Sequence, residues 1–286
     1  MVNKHMITCG AMLTVLLVAK MFIFSSSINP IQVIKFNQHH AEKEIIVNKR
    51  LQSLSFAHEV IPVEQPKVKW RMKKMLDSHK YGKLQTNMLH VKAAKWFPIM
   101  EPILKYYGIP SDFKYMPLVE SGLKSGTSPK GASGYWQFMP QTARNYGLRV
   151  NSDVDERQLV AKSTVAACKY LKSLYKEFNS WTLAAAAYNI GEGSLKRQMA
   201  RQNQDDYFRM KLNRETSIYV YKLISMKEII ENPKQYGYTG KTSRLLALKQ
   251  VKLEDNYSHF KPVARPQVML AMQMLQNYFG NSIPGT

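Results

Sequence analysis

Glu120 is the side chain in this sequence whose setting suits acid chemistry. It closes a helix-like stretch, Tyr115-Met-Pro-Leu-Val-Glu-Ser-Gly122. A carboxylate at a helix C-terminus meets the negative end of the helix dipole. The apolar neighbours Pro117, Leu118 and Val119 would desolvate it. Both effects disfavour the charged form and raise the pKa. That suits a general acid for a glycosidic oxygen near neutral pH. The plain alternative is an exposed Glu at a helix end. Glycosidases ordinarily use two carboxylates, the second as nucleophile or as activator of water. The motifs offer no second acid on this reading. Asp153, Asp155 and Glu156 fall in a separate segment, where Asp155 reads as a helix cap and Arg157 as a partner for a neighbouring acid.

Three further stretches follow in order. Gly131-Ala-Ser-Gly-Tyr-Trp-Gln-Phe-Met-Pro140 is a Gly-rich aromatic turn holding Ser133 and Gln137. Its glycines suit a close approach of backbone to a ligand. Trp136 reads as core or as a platform for a sugar. Ala184-Ala-Ala-Ala-Tyr-Asn-Ile-Gly191 ends a helix at Tyr188 and Asn189, and Glu215-Thr-Ser-Ile-Tyr219 comes last.

Together these motifs resemble the lysozyme-like lytic transglycosylases of bacterial cell-wall turnover, most closely the membrane-bound lytic murein transglycosylase D group. The resemblance covers the chain from Phe97 to Glu231. It implies an all-α, lysozyme-like (goose-type) helical domain acting on peptidoglycan strands. It implies Glu120 as the catalytic residue, with Ser133, Gln137, Tyr188, Asn189 and Tyr219 binding substrate. In such a reaction one Glu protonates the bond leaving muramic acid. It then takes the proton of that sugar's own C6 hydroxyl, which closes on C1 as a 1,6-anhydro ring. The proximity of that internal hydroxyl contributes several kcal/mol. Gln137 would touch the glycan or its peptide stem, Tyr188 and Asn189 would position the sugar, and Tyr219 would orient the acid. Asp155-Glu156-Arg157 also matches the group and reads as structural. Departures are Ser128-Pro129-Lys130 before Gly131, Ile190 and Glu192 around Gly191, and no recognisable LysM repeat. A goose-type lysozyme, using water, is the nearest rival reading. A non-catalytic wall-binding scaffold is another.

Helices must hold these groups. Pro98 suits the first turn of a helix over Phe97 to Tyr107, Pro102 would bend it, and Gly108 would stop it. Ser111 and Asp112 are N-cap candidates for Phe113 to Glu120. Met139-Pro140 opens a short helix that Gly147 ends. Val160 to Phe178 repeats apolar residues at helical spacing, with Cys168 as a buried thiol. Ser180 caps Trp181 to Asn189, and Arg214 to Glu231 forms the last long helix. Upstream, Val68 to Leu76 places Trp70, Met72 and Leu76 near one side of a short helix.

The chain divides on this reading into residues 1–27, a signal-anchor or signal peptide; 28–90, a basic linker with short helices; 91–232, the catalytic domain; and 233–286, a basic tail in which Arg265 to Phe279 could form a helix. Met6 to Phe24 is apolar apart from Thr8, Thr14 and Lys20, and is close to the ~20 residues that span a bilayer. A cell-envelope location follows, membrane-anchored or secreted after cleavage. Cys9 precedes most of the apolar run, which argues against lipidation there. The 286 residues carry a formal net charge of +21. Residues 91–232 hold 21 Lys/Arg against 13 Asp/Glu, so the flanks are the more basic part. Such charge favours polyanions or simply solvates a face. Nucleic acid is not expected as a partner, because zinc-ligand spacing and a basic helix with interleaved aromatics are missing. The seven His are scattered, so no metal and no cofactor is expected.

Overall fold

The computed structural model describes residues 20, 45, 47–84 and 87–238. The apolar run Met6–Phe24, Cys9 and the tail helix expected over Arg265–Phe279 lie outside the described residues. Two compact units emerge, 1–53 and 54–286, and the motifs fall in the second.

The described residues of that unit are helical, as expected, with one small addition. A two-stranded antiparallel hairpin pairs β1 (Ser55–Phe56) with β2 (Glu59–Val60). The helices are α1 (Pro66–Ser78), α2 (Tyr81–Leu84), α3 (Met88–Tyr106), α4 (Met116–Ser121), α5 (Pro140–Asn145), α6 (Val160–Phe178), α7 (Trp181–Ile190), α8 (Glu192–Gln202) and α9 (Tyr219–Glu231). Helix α3 packs on α6, α6 on α7, and α7 on α8 and α9, while α9 also meets α1 and α4. The small side chains Ala184 to Ala187 are fully buried where α7 packs against α6, α8 and α9.

Several sequence expectations shift. Helix α3 starts nine residues before Phe97 and carries both Pro98 and Pro102 inside it. Val91, Ala93, Phe97, Ile99, Met100, Ile103 and Leu104 are buried along it, and that burial outweighs the backbone hydrogen bonds the prolines remove. Asp112 does not cap: it is buried, accepting from the Ala57 amide at 2.8 Å and from Lys227 at 2.7 Å. The segment opens instead as a 3-10 turn, Ser111–Tyr115. Trp70 does not share a side with Met72 and Leu76. Those two are buried, whereas Trp70 is 60% exposed. Two positions separate Trp70 from Met72, a 200° turn around a helix.

Other expectations hold. Helix α6 has the limits read from its periodicity. The Ser180 hydroxyl accepts from the Leu183 amide at 3.3 Å, capping α7. The hairpin adds a second cap: Glu59 accepts from the Trp181 amide, from the Thr182 amide at 3.0 Å and from the Ser180 hydroxyl at 3.1 Å. An anion at a helix N-terminus is stabilised there, so β2 helps fix the helix that carries Tyr188 and Asn189.

Candidate active site

Glu120 is presented by the end of a short helix. Met116, Pro117 and Leu118 of α4 are buried. Gly122 then adopts the left-handed conformation, φ 60°, and stops it. The Gly122 amide bonds Leu118 O at 3.1 Å, the bond of an αL closure, and the Leu123 amide bonds Pro117 O at 3.0 Å. Ser121 stitches this end to the Gly-rich turn. Its hydroxyl contacts Pro117 O at 3.0 Å and Tyr135 O at 2.9 Å. The Lys92 amine donates to Gly122 O at 2.8 Å.

The Gly-rich turn is folded on an arginine. Arg157 Nη1 donates to Gly131 O at 2.8 Å and to Phe138 O at 2.9 Å, while Nη2 is paired with Asp155 at 2.7 Å. Gly134, at φ 78°, lies so close that a Cβ there would sit 1.8 Å from Arg157 O. The Asp155-Glu156-Arg157 stretch is thus the scaffold of the turn, as expected. Glu156 is buried under Arg149 at 2.8 Å and Lys162 at 2.6 Å.

Ser133 is placed differently from the expectation that it binds substrate. It is fully buried. Its hydroxyl is shared with Thr127 at 2.8 Å and takes a hydrogen bond from Gln158. It works inside the turn, because the short antiparallel bridge to Phe138 points its side chain inward. Trp136 resolves to core: it is fully buried and its Nε1 donates to Thr164 Oγ1 at 2.9 Å. Tyr135 is also buried, edge-on to Trp96 at 4.9 Å. Gln137 remains half-buried in the left-handed region, φ 49°. Its Nε2 donates to Gly134 O at 2.8 Å and Gly126 O at 3.3 Å. The amide is held in one orientation, with its carbonyl oxygen unpartnered among the described residues.

Two tyrosines close on Glu120 from other helices. Tyr219, the first residue of α9, donates its hydroxyl to Glu120 Oε1. Tyr207 fixes that start by donating to Thr216 O at 2.7 Å and accepting the Val220 amide at 3.3 Å. Tyr188 donates to Trp136 O at 2.9 Å and packs beside Tyr170, ring centres 5.2 Å apart. Asn189 does not touch Glu120. Its Oδ1 accepts from Thr216 Oγ1 at 2.7 Å and its Nδ2 donates to Glu215 Oε1 at 2.9 Å.

Burial pushes the Glu120 carboxyl up to about 7, and the nearby Glu215 charge adds to the rise. The Tyr219 hydrogen bond and the charge of Lys222 oppose it. Burial, then the Glu120 charge, holds the phenols of Tyr188 and Tyr219 well above their ordinary value. They act as neutral donors. Glu120 is therefore protonated over part of the neutral range and can give a proton.

Glu215 is the residue that sequence reasoning passed over. The motifs do contain a second acid: it opens the stretch ending in Tyr219, is exposed, and is held by Asn189. The signal was its place one helical turn before Tyr219. Lys222, one turn after Tyr219, was also missed.

Residues 97–210 match the Transglycosylase SLT domain family. Membrane-bound lytic murein transglycosylase D of Escherichia coli (strain K12) is 38% identical over 153 residues, 50% of this chain and 34% of that protein. The chain thus spans about a third of the length of that curated relative. A putative tributyltin chloride resistance protein of Alteromonas sp. (strain M-1) is 31% identical over 172 residues, covering 56% of this chain and 81% of that protein. Among solved structures, the 70 kDa soluble lytic transglycosylase of Escherichia coli aligns with TM-score 0.41 at 15% identity, over 72% of this chain and 45% of that one. With four motifs assembled on one helical frame and these relatives in sequence, the chain belongs to the lytic transglycosylase family that carries the SLT domain.

Proposed function

We propose that this chain cleaves the β-1,4 bond between N-acetylmuramic acid and N-acetylglucosamine in peptidoglycan and leaves a 1,6-anhydro end. The observation that carries the reading is the buried Glu120 carboxyl, pushed up to about 7 and held at one oxygen by Tyr219. Glu120 Oε2 has no partner among the described residues, so the proton resides where an incoming glycosidic oxygen can take it. As the C1–O4 bond breaks, that proton moves to O4. The carboxylate then accepts the proton of the C6 hydroxyl, and O6 bonds to C1. Glu120 ends the cycle protonated and no water enters. Tyr219 stabilises the carboxylate between the two transfers. Tyr188 and Gln137 would hold the sugar beside it. Asn189 would act by fixing Glu215 and the start of α9. Ser133 would act by shaping the turn.

The name of the murein transglycosylase relative and the apolar run Met6–Phe24 support an envelope location, with residues 1–27 as anchor or cleaved signal. Among the described residues no helix is long and apolar enough to cross a membrane. One observation favours the lysozyme reading as second choice: exposed Glu215, close enough to influence Glu120, is an acid of the kind that activates water. Mass analysis of muropeptides released from purified sacculi tests the proposal. Products lighter by one water than reducing sugars support it, and reducing ends would overturn it.

A further inference from the structure

Helix α1 turns a strongly basic, tryptophan-bearing face to solvent, and the catalytic reading makes no use of it. The helix buries Val68, Met72 and Leu76, while its sequence PKVKWRMKKMLDS holds five cations against the single acid Asp77. Asp77 is already paired with Lys80 at 2.9 Å. Trp70 projects from the side opposite the buried stripe, 60% exposed. The Lys74 amine lies over its ring, 4.9 Å from the centre. Arg71 reaches inward and donates to Ser217 O at 3.3 Å, just before α9, on which α1 packs.

We propose that this face of α1 docks on the surface of an anionic phospholipid bilayer. Three observations select that occupant. The face is positive, and its one acid among the described residues of α1, Asp77, is paired with Lys80, so it complements phosphate headgroups. Each Lys or Arg near such a surface contributes about 1 kcal/mol. An exposed indole among lysines suits the headgroup level of a bilayer, where its ring is buried and its N–H stays wet. Glycan hydroxyls need acceptors as well as donors, and lysines supply donors only. The apolar run Met6–Phe24 also lies upstream on the same chain, so α1 follows a segment whose composition suits the same bilayer. The contact would hold the catalytic unit against the membrane face, independently of any N-terminal anchor and of the chemistry at Glu120.

The test uses the full chain and vesicles of phosphatidylcholine alone or mixed with phosphatidylglycerol, with brominated acyl chains as quenchers. The Trp70 signal is isolated by subtracting the Trp70→Phe variant, because Trp96, Trp136 and Trp181 also emit. On anionic vesicles the Trp70 component shifts to the blue and is quenched, and added salt reverses this. On neutral vesicles it is not quenched, even where residues 1–27 retain the chain. Replacing Lys67, Lys69, Lys73 and Lys74 together by Gln weakens the anionic response at least ~10-fold and leaves muropeptide release from sacculi unchanged. Equal quenching on neutral and anionic vesicles would overturn the proposal. So would protection of Trp70 by purified peptidoglycan or by DNA with none from vesicles.

Discussion

The Tyr219 hydroxyl donates to Glu120 Oε1 across 99 positions of sequence. This bond joins the end of α4 to the start of α9 and moderates how the carboxyl behaves. Burial raises its pKa, and Tyr219 pulls against that rise. Removing the donor as Tyr219→Phe leaves the ionised carboxylate less stable. Charge-assisted hydrogen bonds of this kind contribute about 1.5–3 kcal/mol, so we expect kcat/KM to fall roughly 10- to 100-fold. The basic limb of its pH profile should move above that of the wild type. A loss of activity with an unmoved limb would mean that Tyr219 acts elsewhere than on Glu120.

Glu120→Gln keeps the shape but can neither give nor take the proton. We expect at least a ~10²-fold loss of muropeptide release. The same variant should gain stability on one side of the pH scale. A carboxyl whose folded pKa is about 7, above its usual 4.5, binds more protons when folded than when unfolded between those values. Stability then falls as pH rises through that window. Gln removes the cost of burying the charge, at most about 3 kcal/mol for a shift of this size. Thermal melts should show the variant more stable than wild type above pH 7 and equal to it below pH 4. Equal melts at both ends would contradict the raised pKa.

Glu215→Gln tests the second acid. Gln still offers an oxygen to Asn189, so the start of α9 should stay in place, while the charge that raises the Glu120 pKa is gone. The basic limb of kcat/KM should move to lower pH, opposite to Tyr219→Phe, with anhydro products retained. If release of product ceases altogether in a folded variant, Glu215 is doing chemistry and not only tuning.

Gly134→Ala should damage the site through the fold. Its Cβ would meet Arg157 O at 1.8 Å at a backbone angle that side chains rarely adopt. Overlap with backbone cannot be relieved by a rotamer, so we expect a loss of at least ~3 kcal/mol. Circular dichroism melts would show this as a lower midpoint or as failure to fold. A wild-type melt would mean that the turn is not anchored on Arg157.

Much of this was readable in the residues. The 3.6-residue repeat of α6 and the Ser180 cap of α7 carry their physics locally, so the limits of α6 and the start of α7 match those observed. Glu120, Tyr188, Asn189 and Tyr219 stand out because their motifs resemble a family, and the fold brings Tyr219 onto Glu120 while Asn189 bonds Glu215 and Thr216. What was not legible depends on direction and on distance along the chain. Ser133 looked ligand-facing in a Gly-rich turn, but the bridge to Phe138 points it inward. Trp70 and Met72 are close in sequence, but two positions on a helix turn Trp70 to the exposed side. Asp112 looked like a cap, yet its partners Ala57 and Lys227 lie 55 and 115 positions away. Glu215 was overlooked as an acid because its influence on Glu120 exists only once α4 and α9 are packed.

The central claim is that the attacking oxygen comes from the sugar and not from water. Digesting intact peptidoglycan in heavy-oxygen water reads this directly. The account predicts no label at C1 of the muramic acid ends, because O6 closes the ring internally. Stoichiometric label at C1 would contradict it, assign water as the nucleophile with Glu215 the nearest candidate to activate it, and move the chain to the lysozyme reaction.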